Sequence, residues 1–332
     1  MSGFWKNKKV LVTGADGFIG SHLSERLSRE GAKVRAFVYY NSFGRWGWLE
    51  ELPPHLLENI EVFLGDIRDS DRVFEAVKDQ EVIFHLASLI AIPYSYHAPE
   101  SYVETNINGT LNVLNACRKI QVERIVHTST SEVYGTARYV PIDEKHPLQG
   151  QSPYSATKIG ADMLAESFHR SFNLPIVILR PFNTYGPRQS ARAVIPTILS
   201  QLYQEIRPIK LGALHPTRDF NFVLDIVSAF LTVAETEASI GRVMNVGSGR
   251  EISIGELVEM LFRITGKKGD VICEKERLRP ERSEVDRLLC DASLARNLTG
   301  WKPIHSLEEG LEMTTRWVKD NIHIFRSRFY NI

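Results

Sequence analysis

Lys9-Val-Leu-Val-Thr-Gly14-Ala-Asp-Gly17-Phe18-Ile19-Gly20-Ser21 is the stretch that decides the fold. Lys9–Thr13 is a short β-branched run that reads as a strand, and helical spacing follows over Ser21–Glu30. Three glycines at the junction meet three physical needs: a tight turn, close backbone approach to a pyrophosphate, and close helix–sheet packing. The helix start beyond them offers free amides and a partial positive charge. A glycine pattern in this strand-to-helix context predicts a dinucleotide site formed by Gly14, Gly17, Phe18, Ile19 and Gly20.

Outward from this junction, apolar runs alternate with helical patterns. Strands are expected at Val34–Tyr39, Ile60–Leu64, Val82–Leu86, Arg124–Thr128 and Ile176–Leu179, and long helices at Glu100–Lys119 and Ser155–Phe172. Alternation of this kind predicts βαβ units and a parallel sheet. The expected class is α/β, a Rossmann-like doubly wound parallel sheet over 1–180, with a smaller C-terminal α/β substrate lobe over 181–332. Some segments are expected to exchange between the two. Two capping boxes, Ser253 with Glu256 and Ser306 with Glu309, mark helix starts in the lobe.

Composition narrows the class of partner. The chain has 332 residues, with 40 Lys plus Arg against 40 Asp plus Glu, so the formal net charge is zero. That balance argues against a dedicated nucleic-acid binder, which carries a basic excess. Three cysteines, Cys117, Cys273 and Cys290, lack metal-ligand spacing and are too few for a disulfide scaffold. No metal is expected, and no stretch approaches the ~20 apolar residues of a membrane helix. A cytoplasmic protein is the expectation.

Tyr154-Ser-Ala-Thr-Lys158 places a phenol and an ammonium at i and i+4 on one helix face. A nearby ammonium favours the phenolate, so Lys158 is expected to lower the Tyr154 pKa and make it a base. Thr128-Ser-Thr130-Ser131-Glu132 follows a strand directly, where active-site groups gather in open α/β sheets. After the second strand comes Phe37-Val-Tyr39-Tyr40-Asn41-Ser42, without the carboxylate that usually marks NAD specificity. No Arg stands at the strand end to meet a 2′-phosphate, although Arg45 lies a few residues on. NAD is the expected cofactor, with NADP left open.

These motifs together resemble the extended short-chain dehydrogenase/reductases of the NAD-dependent epimerase/dehydratase type, over about Lys8 to Val318. The resemblance implies that Asp66-Ile67 holds the adenine and that Leu86-Ala87-Ser88 lines the cofactor. It implies that Asn106 is structural and that Thr130 hydrogen-bonds the reacting oxygen. Within the group, Glu132 resembles the C5 base of nucleotide-sugar 4,6-dehydratases. The commonest dehydratase pattern is Thr-Asp-Glu. Ser131 here resembles instead the GDP-mannose dehydratases and UDP-glucuronate decarboxylases, so decarboxylation stays as the alternative beside 4-epimerisation.

Asn183, Arg218 and Arg279 resemble the substrate anchors of the group, the arginines meeting a pyrophosphate through planar forks. Asn41–Leu49, with Trp46 and Trp48, and Gly186–Pro196 resemble the branch acting on nucleotide-linked N-acetylglucosamine in legionaminic acid pathways. The implied substrate is a nucleotide-diphosphate sugar, UDP- or GDP-N-acetylglucosamine favoured. The implied assembly is a homodimer through a four-helix interface.

Overall fold

The computed structural model describes residues 3–331. Seven strands form one parallel sheet: β1 (Lys9–Thr13), β2 (Lys33–Tyr39), β3 (Ile60–Gly65), β4 (Val82–His85), β5 (Arg124–Thr128), β6 (Ile176–Pro181) and β7 (Val243–Val246). Their spatial order is β7-β6-β5-β4-β1-β2-β3. The chain builds outward from β1 to β3, then returns to the other side of β1 for β4. That reversal opens a crevice beyond the carboxyl ends of β1 and β4, where open α/β sheets bind ligands.

Strand side chains alternate between two buried layers, as the two-residue period of a strand requires. Val10, Val12 and Phe84 face one layer, with Leu23 and Leu27 of α1 (Phe18–Arg29). Leu11, Ile83 and Ile125 face the other. That second layer is filled by α2 (Ser70–Val77), α3 (Gly109–Ile120) and α4 (Pro153–Phe172). With both faces covered, the strands read as almost continuous apolar runs.

From beyond residue 180 the chain returns β7 and the helix Val223–Glu235 to the sheet and its first layer. That helix packs on the first layer, with the Phe230 ring 6.1 Å from Phe84. The helix expected over Glu100–Lys119 is composite. A turn at Pro99–Tyr102 leads into a π-helical segment, Val103–Asn108, before α3 begins. Here Asn106 clamps the backbone of Leu89: its Oδ1 accepts from Leu89 N–H (2.8 Å), and its Nδ2 donates to Leu89 O (3.0 Å) and Thr157 Oγ1 (3.0 Å).

The smaller lobe carries three two-stranded pairs and the helices Ile254–Thr265 and Leu307–Asp320. Both helices start with reciprocal capping boxes, at Ser253/Glu256 and Ser306/Glu309. Among the described residues, no helix is long and apolar enough to cross a membrane.

Candidate active site

The glycine junction is built for close backbone approach. Gly14 has φ +68°, and a Cβ there would lie 2.9 Å from Ala87 N. At Gly20 a Cβ would sit 2.1 Å from Gly14 O, so only glycine lets α1 start against this turn. Gly17 N-caps α1 without any side-chain hydrogen bond, which leaves the first amides of the helix for a ligand. Phe18 and Ile19 open the helix, half-buried.

Thr13 ties β1 to the β4 end. Its Oγ1 accepts from the N–H groups of Leu86 and Ala87, both at 3.0 Å. The hydroxyl proton is then free for His85 Nδ1 (2.9 Å), and His85 Nε2 donates to Thr110 Oγ1 (3.0 Å). Burial holds His85 neutral, well below the usual imidazole range. Leu86, Ala87 and Ser88 therefore form one wall of the crevice. A pyrophosphate-linked dinucleotide fits this cradle, since a single methyl at Gly14 or Gly20 would fill it.

Asp66, expected to meet the adenine, is ion-paired with Arg68 at 2.6 Å, which holds its carboxyl below the ordinary range. Ile67 is buried against Gly109, whose Cβ would come within 2.8 Å of the Ile67 side chain.

The catalytic candidates converge at the carboxyl end of β5. Thr130 caps the short 3-10 turn Ser131–Tyr134, accepting from Glu132 N–H at 3.2 Å, and its hydroxyl favours the ionised form of the nearby Tyr154 phenol. Ser131 and Glu132 are both buried. Lys158 donates to Thr128 O at 2.6 Å, and burial pushes its ammonium down to about 8. The expected lowering of Tyr154 is not found: burial pushes the phenol well above its ordinary value, and only the Thr130 hydroxyl opposes this. Lys158 directs its proton to a carbonyl instead of the phenol.

The lobe supplies two arginines, Arg218 buried and Arg279 half-buried. Arg218 donates to Thr217 O (2.9 Å) and stands 3.4 Å from Glu284, while burial lowers its pKa. Arg279 lies 3.8 Å from Glu132 and 3.6 Å from Glu284. Burial would lower its pKa as well, but the two carboxylates outweigh that and raise it. Its Nη1 is buried without a hydrogen bond. The Oδ1 of Asn183 is likewise buried and unpartnered, and its backbone oxygen accepts from Asn221 N–H at 2.8 Å. Trp48 packs edge-on to Trp317 of the lobe at 5.4 Å, and its backbone N–H donates to Asp16 O (3.1 Å). The Asn41–Leu49 loop thus bridges the glycine turn and the lobe.

Sequence reasoning missed the polar core beneath these groups. Asp162 is fully buried and accepts from Ser129 Oγ (2.7 Å) and from Arg180 Nη2 (2.9 Å) and Nε (3.1 Å). Arg180 also bonds Tyr134 Oη (2.9 Å), which donates to Asn245 Oδ1 (2.7 Å). His127 Nε2 stands 3.3 Å from Asp162. One signal was available: Tyr154, Lys158 and Asp162 continue the same i, i+4 face.

An open cavity of about 390 Å³ lies at the far end of the sheet, lined by Lys33, Arg35 and Glu61 among others. It is at the wrong end for a ligand of an open α/β sheet.

Comparison with known proteins agrees with this geometry. The family model described as GDP-mannose 4,6 dehydratase matches residues 11–314. The chain is 34% identical to UDP-glucuronate 4-epimerase from Thermodesulfobacterium geofontis, over 96% of this chain and 98% of that protein. It is 31% identical to mouse dTDP-D-glucose 4,6-dehydratase, over 96% of this chain and 91% of that protein. A solved structure of UDP-glucuronic acid 4-epimerase from Bacillus cereus, in complex with UDP-glucuronic acid and NAD, superposes with a TM-score of 0.85. That pair shares 30% identity and covers 94% of this chain and 99% of that one. With the dinucleotide cradle, the Tyr–Lys helix and the match over 11–314 in agreement, the chain belongs to the GDP-mannose 4,6-dehydratase family of extended short-chain dehydrogenase/reductases.

Proposed function

We propose that the chain is an NAD-dependent nucleotide-sugar 4,6-dehydratase, making a 4-keto-6-deoxy sugar nucleotide. The observation that carries this reading is Glu132. It is a buried carboxylate whose backbone N–H is held by the Thr130 hydroxyl at 3.2 Å, with the Arg279 guanidinium 3.8 Å away. A 4-epimerase needs no second base, whereas elimination needs a group to take the C5 proton.

Bound NAD would accept hydride from C4 and return it to C6. The chain's own residues do the rest. Tyr154 takes the O4 proton, Thr130 bonds the same oxygen, and Lys158 keeps a positive charge beneath it. The 4-ketone acidifies C5, and Glu132 removes that proton. Ser131 or Glu132 delivers a proton to the C6 hydroxyl, which leaves as water, and a proton returns to C5 as hydride reaches C6. Arg218, Arg279 and Asn183 hold the sugar-linked diphosphate. The likeness of Asn41–Leu49 supports an N-acetylglucosamine nucleotide, UDP- or GDP-linked. Exposed Val103, Met163 and Phe172 on the α3–α4 side support the homodimer, which light scattering measures.

Mass spectrometry of UDP-, GDP-, dTDP- and CDP-sugars incubated with the enzyme tests the reading. Loss of water is expected. Loss of carbon dioxide from UDP-glucuronate, or altered configuration at unchanged mass, refutes it. The second outcome has specific support, since a 34% identical relative is named a UDP-glucuronate 4-epimerase.

A further inference from the structure

The carboxyl end of β2 carries no acidic residue: it reads Tyr39-Tyr40-Asn41. The tertiary structure brings a carboxylate to that place from another element. Gly14 and Ala15 donate their N–H groups to Phe37 O at 3.0 and 3.3 Å, which lays the glycine turn along the last residues of β2. Asp16, next in the turn, has its charged carboxylate stabilised by the Tyr39 amide and by its own. It is held from the other side as well. Trp48 N–H donates to Asp16 O at 3.1 Å, and the Gly47 backbone, at φ +59°, comes so close that a Cβ would lie 2.9 Å from Asp16 Cβ.

We propose that Asp16 is the carboxylate that accepts the hydroxyls of the adenosine ribose, and that it selects NAD over NADP. A carboxylate at this position binds two vicinal hydroxyl donors and repels a 2′-phosphate. The surrounding cations are engaged elsewhere. Arg45 pairs with Glu50 at 2.7 Å, and Arg68 pairs with Asp66 at 2.6 Å and Glu104 at 3.3 Å. Burial raises the Asp16 pKa, the mark of a carboxylate partly withdrawn from water, where hydrogen bonds from a ligand count for more.

The inference rests on the dinucleotide reading of the glycine turn and is independent of which sugar reaction follows. Its test is therefore binding, read by calorimetry with no sugar present, using NAD, NADP and 2′-deoxy-NAD. The native chain should bind NAD at least about tenfold tighter than either of the others, the size of one charge-assisted hydrogen bond pair. Asp16→Asn and Asp16→Ser should each weaken NAD and narrow the NAD-to-NADP ratio about tenfold or more. Equal affinity of the native chain for NAD and 2′-deoxy-NAD overturns the proposal even if neither variant folds. So does a ratio unchanged within about twofold in a folded variant. A chain that binds no dinucleotide overturns the cofactor reading along with it. A chain that binds NAD selectively but dehydrates no sugar overturns only the proposed reaction.

Discussion

The Lys158 ammonium donates to the Thr128 carbonyl at 2.6 Å. This contact pins the charge at the carboxyl end of β5, one helical turn from Tyr154 and within the field of Asp162. A buried ammonium with one carbonyl partner is costly to keep charged, and its pKa of about 8 expresses that cost.

A pH signature follows. The folded-state pKa of Lys158 lies below its unfolded value of 10.5. Between about pH 8 and 10.5 the unfolded chain therefore binds more protons, and this group's contribution to stability rises with pH. The full span is on the order of 3 kcal/mol. Urea unfolding at pH 7 to 10 should show that rise in the native chain relative to Lys158→Met. Parallel curves for the two proteins would show that the ammonium is not so buried.

Glu132 is tested by its own proton. Glu132→Gln should keep dinucleotide affinity and lose about 100-fold or more in dehydration, the usual range for a general base. Exchange of the C5 hydrogen with deuterated water, followed by NMR, should fall in step. Undiminished exchange would remove Glu132 from the base role.

Asp162 accepts from Ser129 and Arg180 in a fully buried setting. Asp162→Ala leaves the Arg180 charge without its carboxylate and should cost about 3–5 kcal/mol in chemical denaturation. Replacing Asp162 and Arg180 together by apolar residues should cost less than the single change, because no unpaired charge stays behind.

Two glycines of the same turn should behave differently. Gly20→Ala drives a Cβ to 2.1 Å from Gly14 O, backbone that cannot move aside, whereas at Gly17 the same atom stands 3.3 Å away. Gly20→Ala should abolish dinucleotide binding and lower stability by about 1–3 kcal/mol or more. Gly17→Ala should be the milder change in both titration and thermal unfolding.

The readings that held were local. Lys9–Thr13 and Arg124–Thr128 are strands with the expected bounds, and both capping boxes form. Tyr154 and Lys158 share a helix face because four residues of helix put them there. Such features depend on neighbours a few positions away, so composition and spacing reveal them. By itself the sequence determined the alternating strands and helices, the glycine turn and the types of candidate catalytic group.

The tertiary structure alone decided how those groups are charged and partnered. β7 joins the sheet from beyond residue 180 because its partner is β6, far back in the chain. Arg180 ends against Asp162, Asp16 ends beside Tyr39, and Arg279 ends near Glu132. Burial raises the Tyr154 phenol, and the Lys158 ammonium turns to the Thr128 carbonyl, for the same reason. Desolvation and hydrogen-bond geometry are set by every element that packs around a group, and one-dimensional spacing carries neither.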